Sequence, residues 1–178
     1  VLDAHPLAVS IRQVGGRSVV STGAHADPLR EAVHALKYHD ITPLTEALAI
    51  RLAGAVRAAG WRPEALVPVP LHPQRQRQRG FNQAALLAAS AARQLGIPML
   101  NLLERVRHTP PQVGLGALAR RANLSGAFVV RPVPVVGSVV LVDDVLTTGA
   151  TLLECAAVLQ RAGVTTCDGA VITEAAHP

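Results

Sequence analysis

Two adjacent carboxylates, Asp143 and Asp144, are followed by Val145, Leu146 and the run Thr147-Thr148-Gly149-Ala150-Thr151. Carboxylates hold hydroxyl groups and hard cations. Hydroxyl side chains around a glycine at the start of a helix hold phosphate, because glycine lets the backbone approach closely and the helix end offers unbonded N–H groups and the positive end of its dipole. Together the two halves suit a ligand with hydroxyls and a monophosphate, such as a phosphorylated ribose. Nucleotide triphosphate hydrolysis has no support: no Gly-x-x-x-x-Gly-Lys-Ser/Thr pattern occurs, and the only lysine, Lys37, is far away in the chain. The plainer alternative is a strand-to-helix turn capped by Asp144, but a cap needs one short polar residue and this stretch has five.

A second set of chemistry-bearing residues is cationic. Between Leu66 and Arg121 the only acidic residue is Glu104, against eight arginines. Arginine's planar fork suits phosphate. Arg75, Arg77 and Arg79 recur at every second position after Leu71-His72-Pro73, which would put all three on one side of an extended segment, as a clamp for pyrophosphate or a nucleic-acid backbone. A solvated loop is the alternative.

These residues need elements to position them. Val139 to Val142 is a β-branched apolar run that predicts a strand buried on both faces, with the acid pair facing ligand at its carboxyl end, where open α/β sheets bind ligands. Leu152, Ala156 and Leu159 mark the core face of the following helix. Leu7 to Arg12 and Arg17 to Thr22 flank Gly15-Gly16 as a hairpin. Helices are predicted from Asp27-Pro28 through Lys37 and from Thr42-Pro43 to Gly60. Ala65 to Pro70 is a proline-ended strand, Ala84 to Leu95 a helix closed by Gly96, and Ile97 to Leu102, Gly126 to Arg131 and Cys167 to Thr173 further strands. Arg105 to Asn123 reads as a long basic loop, since Pro110 and Pro111 block helix and ladder alike. The alternation from Ala65 onward predicts an α/β fold, a parallel sheet flanked by helices, with residues 63–178 as the core and 1–62 as a small N-terminal hood.

At 178 residues the chain can build a core without metal or disulfides, and 49% hydrophobic against 16% charged residues predicts a mostly folded chain. Cys155 and Cys167 read as buried thiols, and the seven scattered histidines give no zinc spacing. No apolar run reaches spanning length and residues 1–15 lack a signal pattern, so a cytoplasmic location is expected.

Val-Leu-Val-Asp-Asp-Val-Leu-Thr-Thr-Gly-Ala-Thr resembles the phosphoribosyl-pyrophosphate (PRPP) motif of type I phosphoribosyltransferases. The resemblance implies that residues 145–151 bind the 5′-phosphate and that Asp143 and Asp144 are the catalytic acids, holding the ribose hydroxyls with magnesium nearby. Val-Pro-Val-Pro-Leu-His-Pro, Arg-Gly-Phe-Asn-Gln, and Arg105 with Thr109, Gln112, Leu115, Arg120 and Asn123 are similar to the ComF/GntX family of competence-associated phosphoribosyltransferase-like proteins, over roughly residues 29–173. That likeness implies a pyrophosphate turn at Pro70, Leu71 and His72 with Arg75 and Arg79, and a flexible loop carrying Arg105, Arg107, Thr109, Gln112, Arg120 and Asn123. It departs in one respect: members commonly carry a four-cysteine zinc ribbon before the helices, and no cysteine precedes Cys155 here.

Two functions follow. One is a magnesium-dependent phosphoribosyltransferase acting on PRPP and a nitrogenous acceptor, with a homodimer possible. The other is a competence or regulatory protein that binds PRPP or single-stranded DNA without turnover; against it, base-stacking aromatics are few, namely Tyr38, Trp61, Phe81 and Phe128.

Overall fold

The computed structural model describes residues 7–38, 42–107, 124–132 and 137–176. Among the described residues five strands form the main sheet. β1 (Ser10–Val14) and β2 (Arg17–Ser21) meet through Gly15-Gly16, both at positive φ, the conformation a two-residue hairpin turn needs to match strand twist. β2 then runs parallel to β7 (Thr166–Glu174), β7 to β6 (Ser138–Leu146), and β6 to β3 (Ala65–Pro68). The residues expected as a hood thus contribute the far edge of this sheet, together with helices α1 (Leu29–Tyr38) and α2 (Thr42–Ala58).

Both faces of the sheet are covered, which explains the continuous apolar runs of its strands. One face carries three helices. Leu29, Val33 and Leu36 of α1, Leu48, Leu52 and Val56 of α2, and the small-residue face of α4 (Gln83–Leu95) pack on Val20, Leu66, Val140, Val142 and Ile172. On the other face α5 (Ala150–Arg161) lays Leu152, Cys155, Ala156 and Leu159 against Ala65, Val67, Val139, Leu141 and Val171.

The helices after β3 and β6 therefore lie on opposite faces of two neighbouring parallel strands. This is a topological switch point, and it opens a crevice outside the carboxyl ends of β3 and β6.

Two expectations are corrected. Residues 97–102 do not form a ladder strand: Pro98 has no N–H to give, and the segment runs beside β3 through one bridge, Leu66 to Met99, with Leu66 N–H donating to Pro98 O and Leu100 N–H to Leu66 O. The expected strand over 126–131 is β5 (Phe128–Val130), and it lies outside the main sheet, pairing antiparallel with β4 (Leu103–Arg105). Arg105 thus belongs to a strand and not to the loop predicted to begin there.

Candidate functional site

β6 runs through the acid pair instead of ending before it. On its β7 side the ladder continues to Leu146 opposite Glu174, while on its β3 side it stops at Val142 opposite Pro68. Asp143 and Asp144 are consequently held in a strand by one neighbour and lie past the end of the other, on the crevice. The register with β7 passes from Asp143↔Val171 to Val145↔Thr173 and skips Asp144, whose N–H donates to Asp143 Oδ1 at 2.9 Å. The alternation of faces shifts by one residue here: Val140, Val142 and Val145 all pack with the α4 side, and Leu146 with the α5 side.

The two acids have different surroundings. Asp144 is 6% exposed and its Oδ2 accepts from Gln83 Nε2 at 3.3 Å, whereas Asp143 is half-buried. Asp144 is thus buried and held from the α4 side, and Asp143 is the more accessible of the two.

Beyond the strand, Thr147 is exposed, Thr148 is half-buried and its Oγ1 accepts from Ala150 N–H at 3.4 Å, and Gly149 is the N-cap of α5. Gly149 has φ 75°, and a β-carbon there would overlap Val14 Cγ1 of the hairpin, so both its conformation and its surroundings require glycine. Val145, Leu146, Ala150 and Thr151 complete the loop; Leu146 and Ala150 are buried and anchor it.

After β3, Pro70, Leu71 and His72 lead into α3 (Pro73–Arg79), and all three are half-buried. The arginine run is helical, not extended. His72 caps it, with Nδ1 accepting from Gln74 N–H at 3.3 Å, Pro73 occupies the first turn, and Gly80 closes it at φ 86°. In a helix Arg75 and Arg79 share a face and Arg77 does not, and accordingly Arg75 and Arg79 are half-buried while Arg77 is exposed.

The Arg-Gly-Phe-Asn-Gln segment connects this turn to the acids. Arg79 Nη1 donates to Gln83 Oε1, Gln83 donates onward to Asp144, and Asn82 both caps α4 and donates to Val69 O at 3.0 Å, fixing the end of β3. Sequence reasoning gives Asn82 and Gln83 no role of their own, because their partners are too distant in the chain for spacing to reveal them.

Arg105 stands over the Phe128 ring at 5.5 Å. Burial lowers its pKa from the ordinary guanidinium value, the nearby charge of Arg75 lowers it further, and Asp143 opposes both. Arg105 thus lies within electrostatic reach of both Arg75 and Asp143. Arg107 Nη1 donates to Ser125 O at 2.6 Å. Thr109, Gln112, Arg120 and Asn123 lie outside the described residues. Among the described residues no group of three or more His, Cys, Asp or Glu side chains could cage a metal ion, and no helix is long and apolar enough to cross a membrane.

No family model matches the chain. It is 41% identical over 155 residues to competence protein F of Haemophilus influenzae, covering 82% of this chain and 68% of that protein. It is 39% identical to the DNA utilization protein YhgH of Salmonella typhimurium, over 83% of this chain and 68% of that one. A solved structure described as the allosteric regulatory enzyme of purine biosynthesis superposes with a TM-score of 0.48 at 18% identity, over 78% of this chain and 30% of that chain.

Proposed function

The chain belongs to the family of competence protein F and the DNA utilization protein YhgH, and we propose that it binds PRPP at the β3–β6 crevice and transfers the phosphoribosyl group to a nitrogenous acceptor, releasing pyrophosphate. The observation that carries this is that two carboxylates and a hydroxyl-rich helix-entry loop lie past the end of β3 at the switch point, with Arg79 of the neighbouring turn linked to Asp144 through Gln83.

In this reading the loop from Val145 to Thr151 takes the 5′-phosphate, through backbone N–H groups at the start of α5 and the threonine hydroxyls. Asp143 and Asp144 take the ribose hydroxyls, with Gln83 holding Asp144 in place. The turn at Pro70 to His72, with Arg75 and Arg79, takes the pyrophosphate. An acceptor nitrogen's lone pair forms the bond to C1 as the C1–O bond breaks, and the departing pyrophosphate carries that bond's electron pair. Arg75 and Arg105 stabilise the charge that grows there. A half-buried carboxylate past the end of β3 suits a hard cation held mainly by substrate oxygens and water, and magnesium bound near Asp143 would supply further neutralisation of the pyrophosphate.

A second reading, single-stranded DNA binding without turnover, is favoured by the exposed Arg77 and by the names of the relatives. Pyrophosphate release from PRPP with a panel of nitrogenous bases supports the transferase. DNA binding that weakens steeply with salt, without pyrophosphate release, supports the binder.

A further inference from the structure

The hairpin touches the phosphate loop at two points. Arg12 Nη1 pairs with Glu174 Oε1 at 2.7 Å, and its Nη2 donates to Thr147 O at 3.1 Å. Two residues on, Val14 packs where Gly149 has no β-carbon. Residues two apart on a strand share a face, so one side of β1 meets both ends of the Thr147–Gly149 segment. Glu174 is fixed in turn: its backbone pairs with Leu146, and its Oε2 accepts from Ser21 Oγ at 3.4 Å.

We propose that Arg12 is a positioning residue for the phosphate loop, an inference that rests on the reading of residues 145–151 as the 5′-phosphate site. A trans peptide is planar, with its C=O and the following N–H pointing in opposite directions. By holding Thr147 O toward the hairpin, Arg12 turns the Thr148 N–H away from it, to the side left for the 5′-phosphate in that reading. The guanidinium suits this task because one planar fork reaches a carboxylate and a carbonyl at once, which an ammonium on a flexible stem does not. Val14 closes the same loop from the hairpin side, so the peptide has little room to turn over. The hairpin is in this way part of the binding site although none of its residues belongs to the loop.

The decisive variant is Arg12→Lys, which keeps a cation beside Glu174 and gives up the second arm of the fork. Calorimetric titration of the purified chain with ribose 5-phosphate, and separately with pyrophosphate, reads the two ends of the site. Ribose 5-phosphate affinity is expected to fall roughly 10- to 100-fold in Arg12→Lys, the loss of one charge-assisted hydrogen bond, with pyrophosphate affinity and melting temperature near those of the parent chain. Arg12→Ala is expected to lose the same affinity and also stability. If the parent chain binds ribose 5-phosphate and Arg12→Lys binds it equally well, the positioning role is overturned while the phosphate site stands. If the parent chain does not bind ribose 5-phosphate, the phosphate site itself fails, and this inference with it.

Discussion

Gly149→Ala tests the joint between hairpin and loop. The added methyl meets two separate obstacles: a backbone at φ 75°, and Val14 Cγ1 in the space it would occupy. The left-handed conformation costs an L-residue about 1–2 kcal/mol, and forcing a methyl into a filled site costs about 1–3 kcal/mol. The sum is about 2–5 kcal/mol, which for a chain of this size lowers the melting temperature by about 5–20 °C. Val14→Ala removes the steric part and leaves the backbone part. Thermal and urea unfolding of both single variants and the double variant should therefore give a double variant more stable than additivity allows, by about 1 kcal/mol or more. Additive effects, or a Gly149→Ala chain as stable as its parent, would refute the contact between Val14 and the loop.

Three other outcomes are expected. Gln83→Leu removes the buried link between Arg79 and Asp144; it should cost about 1–3 kcal/mol and weaken PRPP binding in calorimetry, and unchanged affinity would dissociate Gln83 from the site. Burial pushes the Cys167 thiol up to about 12 and Cys155 well above its ordinary value, so above pH 9.0 the unfolded chain releases protons that the folded chain keeps. Stability should be level with respect to these thiols below that pH and fall as pH rises toward 12, and urea midpoints of Cys167→Ala should fall less steeply than those of the parent. In crystals grown from sulfate or phosphate, an anion should lie at the start of α5, with difference density found only elsewhere counting against the cradle.

The strands of the main sheet and the helices around them are legible in the sequence because their signals are local. Val139 to Val142 is apolar on every residue because both faces are covered, and Gly15-Gly16 can make a two-residue hairpin turn with no outside help. The arginine run misleads because a period of two suggests extended structure. Its end signals, Pro73 in the first turn and Gly80 at the close, point to the helix that forms. β4 and β5 are not legible as a separate sheet, since each is three residues long and the pairing of Leu103 with Val130 spans a long stretch of chain. In the site, the loop and acids announce themselves by composition. Arg12, Gln83 and Glu174 do not, because each acts through a partner on a different element.

Isothermal titration calorimetry with PRPP and magnesium tests the central claim most directly. Saturable one-site binding to the parent chain, strongly weakened in an Asp143→Asn/Asp144→Asn variant that melts cooperatively, is the expected result. Absence of binding to the parent chain, or equal affinity in the doubly substituted one, would contradict the assignment of the acid pair to the ribose.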